Sequence, residues 1–237
     1  MSEYCSSQNI QVWPSKFDDV FEKNIQDIPD PLLEVKRVEP GKTGLSNSTN
    51  NCFINCVLQP IMHSPQLAPL LHTKALRNYI NTSNIRGTRG SLTGCLSALA
   101  NLYWCCKYPV LNVEPILTIF ATEIREDFGG ETENDAHEFL WHLLNKLGED
   151  TNRGLYEINS NYSKRSLNDL ENATIILHGN TYMNEQRRYS SSIITDLFTL
   201  VSCSITTCTN CQQKTVGFEQ QRIAIIVIIT FHFGNFI

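Results

Sequence analysis

The chain has 237 residues, a formal net charge of −5 and a pI near 5.7. Hydrophobic residues make up 41% of it and charged residues 18%, which allows a buried core and excludes a globally disordered chain. The negative balance argues against non-specific nucleic-acid binding, and the longest apolar run, Ile223–Phe233, is too short to span a bilayer. We therefore expect neither nucleic acid nor a membrane among its partners.

The cysteines and the N-terminal residues indicate a reducing compartment. The N-terminal stretch has no apolar segment of the kind found in a signal peptide. The nine cysteines are odd in number and unevenly spaced, so we interpret them as reduced thiols, a nucleophile or metal ligands, and not as a disulfide framework. Both observations predict a cytoplasmic or nuclear protein.

Along the chain, a polar part is followed by a helical part and then by a strand-rich part. Residues 1–43 are broken by prolines, which predicts an N-terminal extension or linker. A loop at 44–51 precedes segments with helical periodicity at 52–63, 66–81, 91–107, 113–125 and 134–150, and Pro60 should bend or end the first of them. Residues 151–190 are polar and irregular, and from Ser191 the pattern becomes that of strands, including IAIIVIITF at 223–231. Helices followed by strands predict an α+β domain with two lobes.

Cys52 lies where the polar loop becomes the first helix. A helix N-terminus favours the thiolate, which is the attacking form of a cysteine. Asn47 precedes Cys52 in the loop, and a loop amide beside a nucleophile can donate to a developing oxyanion. The alternatives are a packing or capping cysteine and a turn-forming asparagine. Cys56, one turn further on, lies inside the apolar run and is predicted to pack in the core.

These residues belong to the stretch GLSNSTNNCFINCVLQ at 44–59, which resembles the cysteine box of the ubiquitin-specific proteases. Members of this family are papain-like deubiquitinating cysteine peptidases. The resemblance implies that Cys52 is the nucleophile and that Asn47 helps to form the oxyanion hole. The segment ENDAHEFL at 133–140 resembles the second box of the family.

The resemblance extends over roughly residues 44–219 and includes a segment similar to the strand that enters the family's zinc-bearing fingers, at Ser192–Phe198 and Cys208-x-x-Cys211. It implies a papain-like α+β fold. The implied parts are a helical thumb at 44–150, an irregular insert at 151–190, and the start of the fingers with a divergent tail at 191–237.

Asp135 and Glu138 are three residues apart on a predicted helix and therefore share a face. The tail of ubiquitin carries arginines before its terminal diglycine, and carboxylates pair well with guanidinium groups. We therefore predict that these two residues, together with Gln59 of the cysteine box, bind the substrate. The alternative is a pair of acids at a solvated helix N-terminus, where the helix dipole favours them. His137 and His142 are interpreted as surface or packing residues.

Cys208 and Cys211 have the C-x-x-C spacing of a zinc knuckle, but a structural zinc takes four ligands. The sequence holds no second C-x-x-C pair, Cys203 has unsuitable spacing, and His232 is a weak fourth candidate. The motif is half of a zinc site, and two reduced cysteines at strand ends are the alternative. Catalysis by the thiol itself requires no cofactor.

A papain-like thiol also needs an imidazole base. In the resembled family this histidine lies in a Gly-His-Tyr type strand beyond the fingers, and none of the six histidines has that context. We therefore expect a C-terminally truncated catalytic domain that lacks the histidine box and most of the palm sheet.

The resemblance implies a thiol-dependent deubiquitinase that hydrolyses the peptide or isopeptide bond after the terminal glycine of ubiquitin. Ubiquitin and ubiquitinated proteins are its expected partners, and weak or no activity is expected from these residues alone. Two alternatives stay open: a ubiquitin-binding pseudoenzyme or fragment, and a zinc-ribbon interaction module that uses Cys208 and Cys211.

Overall fold

The computed structural model describes residues 38–47, 50–73, 75–129, 132–154 and 172–222. Their helices are α1 (Cys52–His63), α2 (Ala68–His72), α3 (Ser91–Trp104), α4 (Glu114–Glu123), α5 (Ala136–Asp150), α6 (Asn172–Tyr189) and α7 (Ile193–Phe198). Two 3₁₀ helices span Ala75–Tyr79 and Glu126–Gly129. The strands are β1 (Gly44–Leu45), β2 (Val110–Leu111), β3 (Thr199–Thr207) and β4 (Lys214–Arg222). No helix within these ranges combines the length and the apolar character needed to cross a membrane.

The described strands form two separate two-stranded sheets. β1 and β2 pair in parallel, with Leu45 opposite Leu111. β3 and β4 form a long antiparallel hairpin, with Thr207 opposite Lys214 next to the turn. β3 directly follows α7, and the hairpin packs against α6, where the rings of Tyr182 and Phe218 stack with their centroids 6.1 Å apart.

The core lies among the helices, with α3 at its centre. Residues of α3 are buried on nearly every side, as expected for a helix enclosed by others. α1 and α5 each bury one apolar face against this core, and their fully buried side chains include Ile54, Leu58, Phe139 and Leu143. Ile194 and Phe198 extend the core into α7. The helical part thus forms one contiguous apolar cluster on which the site is built.

Four of the predicted helices are present with close agreement. α1 has the predicted bounds, and it continues for three residues beyond Pro60 before it ends at His63. α3, α4 and α5 lie within the predicted 91–107, 113–125 and 134–150 segments. The single helix predicted at 66–81 is wrong, because the structure contains the short α2 followed by a 3₁₀ helix in that range.

Two further predictions are corrected in the second half of the chain. Residues 172–189, predicted to be irregular, form the helix α6. The strand predicted from Ser191 begins instead as the helix α7, because the hydroxyl of Ser192 caps it by accepting the Thr195 N–H at 3.0 Å. The predictions for residues 1–37, for residues 155–171, and for the last strand with His232 lie outside the described residues.

A buried carboxylate joins the end of α5 to the loop before α3. Asp150 is fully buried, and its Oδ1 accepts the backbone N–H groups of Thr88 at 2.6 Å and Gly90 at 3.3 Å. Its Oδ2 accepts the hydroxyls of Thr88 at 2.8 Å and Thr93 at 2.7 Å. A Cβ on Gly87 would lie 2.6 Å from Oδ1, so the loop approaches the carboxylate as closely as only glycine allows. These donors replace the water that the charged group loses on burial.

A second polar residue, Asn152, joins the same end of α5 to the chain between α6 and α7. Its Nδ2 donates to the Tyr189 carbonyl at 3.1 Å, and its Oδ1 accepts the Ser191 N–H at 3.0 Å. The N–H of Arg153 also donates to the Ser191 carbonyl, at 2.9 Å. The chain between α6 and α7 is therefore tied to the end of α5.

Replacing Asp150 by alanine is expected to lower the free energy of unfolding by about 3 kcal/mol, because buried donors left without an acceptor cost roughly 1–3 kcal/mol each. Urea unfolding followed by circular dichroism measures this loss. As a control, Glu39→Ala removes the exposed ion pair with Lys42 and should leave the midpoint unchanged. Equal midpoints for the two variants would contradict the assigned role of Asp150.

Candidate active site

The loop that leads to Cys52 is held from both sides. On one side, the N–H of Gly44 donates to the Pro109 carbonyl at 2.7 Å and that of Ser46 to the Leu111 carbonyl at 2.9 Å. On the other side, the Nδ2 of Asn55, in the first turn of α1, donates to the Ser46 carbonyl at 2.9 Å. The start of the loop is therefore fixed relative to the start of the helix.

Asn47 sets the shape of the rest of this loop. Its Oδ1 accepts the backbone N–H of Asn51, the residue before Cys52, at 2.8 Å. Asn50 has a φ of +53°, a left-handed conformation that asparagine tolerates better than most residues. Because Oδ1 of Asn47 is used within the loop, its Nδ2 is the end of the amide that can donate to a substrate. The amide orientation thus suits the donor role predicted for Asn47.

Cys52 is exposed and is the first residue of α1. Its Sγ lies 4.0 Å from the carbonyl oxygen of Asn50. At this position the N–H groups of the first helical turn have no partner within the helix, which favours negative charge on a nearby atom. The thiol is thus open to solvent at the N-terminal end of α1.

The prediction that Cys56 packs in the core is wrong. Cys56 is exposed, and its Sγ donates to the Phe53 carbonyl at 3.1 Å. Neighbouring atoms that partly bury the thiol raise its pKa, and negative charge on Cys52 adds to this effect. Gln59 is exposed one turn further along. The three residues are spaced i, i+4 and i+7, so they form one solvent-facing stripe on α1.

The predicted substrate carboxylates both have partners within the chain. Asp135 is the N-cap of α5, and its Oδ1 accepts the N–H groups of His137 at 2.7 Å and Glu138 at 3.3 Å. Glu138 forms an ion pair with Arg125, which also binds Asp127. The Arg125 guanidinium lowers the pKa of the Asp127 carboxyl by hydrogen bonding and charge. Asp135 is therefore a helix cap and Glu138 a salt-bridged residue, and substrate binding by the two carboxylates stays a prediction.

Sequence reasoning missed Arg125. It lies between α4 and the 3₁₀ helix Glu126–Gly129, and it meets Glu138 only because that segment folds onto the first turn of α5. Opposite charges thirteen positions apart carry no helical or strand periodicity, so no pattern in the sequence indicates the pair.

Two of the described histidines, His63 and His142, make contacts within the fold. The ring nitrogens of His63 lie 2.8 Å from the Gln59 carbonyl oxygen and 3.0 Å from that of Gly41. The ring of His142 packs against Phe128, and burial lowers the pKa of this imidazole, with Arg125 as the second cause. The packing role predicted for His142 agrees with this position. We assign neither ring as the base for Cys52.

Cys208 and Cys211 lie at the turn between β3 and β4, where both are exposed. The backbone N–H groups of Cys211 and Asn210 lower the pKa of the Cys208 thiol. Within the described residues, no group of three or more potential metal ligands comes together. The two thiols therefore supply half of the ligands that a structural zinc takes, and the described residues do not form a complete zinc site.

Residues 43–233 match the family model "Ubiquitin carboxyl-terminal hydrolase". The chain belongs to this family, and it has the papain-like α+β fold class that the sequence predicted. Curated relatives include ubiquitin carboxyl-terminal hydrolase 19 of Rattus norvegicus, 33% identical over 120 residues, which are 51% of this chain and 9% of the relative.

Two fungal relatives match over a longer range. Ubiquitin carboxyl-terminal hydrolase 12 of Saccharomyces cerevisiae is 28% identical over 201 residues, covering 81% of this chain and 16% of the relative. Probable ubiquitin carboxyl-terminal hydrolase 4 of Schizosaccharomyces pombe is 29% identical over 200 residues, covering 80% and 32% respectively. The chain thus spans a third or less of the length of these relatives. Among solved structures, the SAGA DUB module bound to monoubiquitin is similar with a TM-score of 0.49 and 15% identity, over 90% of this chain and 41% of that one.

Proposed function

We propose that this chain carries the thiol and oxyanion side of a deubiquitinase active site. The observation that carries the proposal is the geometry at Cys52: an exposed thiol at the first residue of α1, behind a loop in which the Asn47 amide is anchored by its Oδ1. Family membership supports the same chemistry, because the relatives are named as ubiquitin carboxyl-terminal hydrolases.

In the proposed reaction, the Cys52 thiolate attacks the carbonyl carbon of the terminal glycine of ubiquitin. A C–S bond forms, and the carbonyl oxygen becomes an oxyanion that accepts from the Asn47 amide and the Cys52 backbone N–H. Collapse of this intermediate breaks the C–N bond, and the departing amine takes up a proton. Water then hydrolyses the thioester, which releases the ubiquitin carboxylate and restores the thiol. The proton acceptor for Cys52 is not assigned to a described histidine.

We propose that Asp135 provides the main carboxylate for the arginines of the ubiquitin tail. Its helix cap uses Oδ1, whereas Glu138 is held in an ion pair with Arg125. Gln59 lies on the same exposed stripe of α1 as Cys52, about 10 Å along the helix axis, so it is placed to contact a substrate that reaches the thiol. Ubiquitinated proteins of the cytoplasm or nucleus are the proposed partners.

The test is covalent labelling of the 237-residue chain by a ubiquitin vinyl sulfone probe. Labelling is expected for the unchanged chain and should be lost in Cys52→Ala. Cys56→Ala is the matched control, because it removes an exposed thiol one turn away on the same face and should be labelled normally. Gel electrophoresis with mass spectrometry of the labelled peptide measures both results.

Two outcomes would refute this assignment of Cys52. Labelling that persists in Cys52→Ala would place the reactive thiol elsewhere. An unlabelled chain that still binds ubiquitin in fluorescence anisotropy would indicate a non-catalytic ubiquitin-binding protein.

Asn47 can be tested for its two roles separately. Asn47→Asp keeps the Oδ1 acceptor for the Asn51 N–H but replaces the donating amide nitrogen by an oxygen, whereas Asn47→Ala removes both. If Asn47 stabilises the oxyanion, the weak hydrolysis of a ubiquitin-aminocoumarin substrate expected of these residues, measured at high enzyme concentration, should fall by about 10²-fold or more in both variants. Retention of the rate in Asn47→Asp alone would show that Asn47 only shapes the loop.

The charge of Asp135 can be removed without loss of the helix cap. Asparagine is as good an N-cap as aspartate, so Asp135→Asn should preserve the fold of α5 while the dissociation constant for ubiquitin rises by about threefold to tenfold. Measurement in the Cys52→Ala background by anisotropy excludes turnover. An unchanged dissociation constant would confine Asp135 to its capping role.

A further inference from the structure

The residue that follows the proposed nucleophile is held in a cluster of four phenylalanines. Phe53 is 5% exposed, and its ring centroid lies 5.6 Å from that of Phe139 and 6.1 Å from that of Phe128. Phe120 completes the cluster at 4.4 Å from Phe139 and 5.7 Å from Phe128. The rings come from α1, α4, α5 and the 3₁₀ helix, so the cluster sets where α1 begins. Any shift of these rings is transmitted to Cys52 through a single peptide unit.

Arg125 fixes one wall of this cluster. Its guanidinium binds Asp127 and Glu138 and also lies over the ring of Phe128, 5.4 Å from the centroid. The Arg125 carbonyl accepts the Phe128 N–H at 3.3 Å. One side chain therefore ties the 3₁₀ helix to the first turn of α5 and covers the ring that contacts Phe53.

The 3₁₀ helix has little space to move towards α4. A Cβ on Gly129 would lie 2.5 Å from the Cβ of Ala121, so the segment is seated against α4 as closely as glycine allows. Asn134 donates to the Asp127 carbonyl at 3.4 Å from the other side. Because α4 blocks movement on one face, the ion pairs of Arg125 hold the Phe128 ring in its position beside Phe53.

We propose that Arg125 is a positioning residue for Cys52, which it acts on through Phe128 and Phe53. It does not touch the thiol or the substrate. It holds the start of α1 in place so that the Cys52 thiol stays aligned with the Asn47 amide. The catalytic consequence rests on the function proposed above, whereas the mechanical link between Arg125 and the start of α1 does not.

A guanidinium is required because it meets two carboxylates and one aromatic face at once. Its planar group presents several donors in fixed directions and stacks on aromatic rings, whereas a lysine ammonium is a compact point charge. Arg125→Lys should therefore retain only part of the labelling rate, and of the protection from exchange at 52–56, that Arg125→Ala loses. Arg187 offers a matched control, since it forms an exposed ion pair with Asp196 at 3.2 Å without contact to the phenylalanine cluster.

The experiment has two arms on the full 237-residue chain. In the first, hydrogen exchange by mass spectrometry compares peptides over 52–56 and over α3. Arg125→Ala should speed exchange at 52–56 by about tenfold and leave α3 unchanged, because only the first turn of α1 is released.

In the second arm, the rate of ubiquitin vinyl sulfone labelling at saturating probe should fall by about tenfold in Arg125→Ala, because misaligned reacting groups react more slowly. The dissociation constant for ubiquitin should not rise, because the variant removes a positive charge from a surface that attracts a basic segment.

Each outcome decides for or against the proposal. Partial recovery in Arg125→Lys and wild-type behaviour in Arg187→Ala would support it. Exchange that rises equally in α3 would show a general loss of stability, and unchanged exchange at 52–56 would show no link; either result overturns the proposal. A weaker affinity with an unchanged saturating rate would place Arg125 in substrate binding. If the unchanged chain is not labelled, the proposed function fails, and the exchange arm alone decides whether Arg125 holds Cys52.

Discussion

The burial of one face of α1 sets the arrangement of the whole site. Six of its side chains, from Phe53 to Met62, are buried, and at 3.6 residues per turn this leaves Cys52, Cys56 and Gln59 towards solvent. Full burial of a side chain of this size contributes roughly 1.5–3 kcal/mol, so the helix cannot rotate about its axis without a large loss. The direction of the thiol is therefore fixed by packing on the opposite side of the helix.

The asparagines around Cys52 have a physical explanation. The loop leaves the β1–β2 pair and must reach a helix start without burying unpaired backbone groups. Asn47 accepts the N–H of Asn51 and Asn55 donates to the Ser46 carbonyl, so side-chain amides satisfy what a regular element would otherwise satisfy. Because the amide has both a donor and an acceptor, Asn47 can shape the loop with one end and face a substrate with the other. A carboxylate at that position would accept but could not donate.

The sequence predicted the helices that have strong periodicity and missed the features that depend on tertiary contacts. α1 and α5 were predicted within two residues because their apolar positions recur with the helical period. α7 was predicted to be a strand because Ile-Ile-Thr has β propensity, but the cap at Ser192 and burial of Ile194 override that preference. Cys56 was assigned to the core because it lies within an apolar run, although its spacing from Cys52 places it on the exposed face.

The candidate site also combines residues that a local pattern predicts with residues that only tertiary contacts bring together. The roles of Cys52 and Asn47 are predicted from the resemblance of residues 44–59 to the cysteine box, which is a local pattern of residue types. The partner of Glu138 is not predicted in this way, because Arg125 reaches it only after α4, the 3₁₀ helix and α5 have packed together. Long-range ion pairs of this kind leave no periodic signal, and their effect on a predicted carboxylate pair becomes visible only in three dimensions.

The electrostatic character of the α5 N-terminus follows from counting these charges together. The described segments 125–129 and 132–138 carry five acids, Glu126, Asp127, Glu133, Asp135 and Glu138, and the single guanidinium of Arg125, so five negative charges against one positive charge leave these segments at −4. Asp127 and Glu138 are already engaged by Arg125. The surface nevertheless keeps a net negative charge, which attracts a basic segment. A basic ubiquitin tail would be guided by this residual charge and then bound by the few groups not already paired. The role proposed for Glu138, which is to hold Arg125 beside Phe128, is thus separate from the role proposed for Asp135, which is to bind a basic tail. Under these two proposals, the N-terminal end of α5 supports the start of α1 on its inner side and attracts the substrate on its outer side.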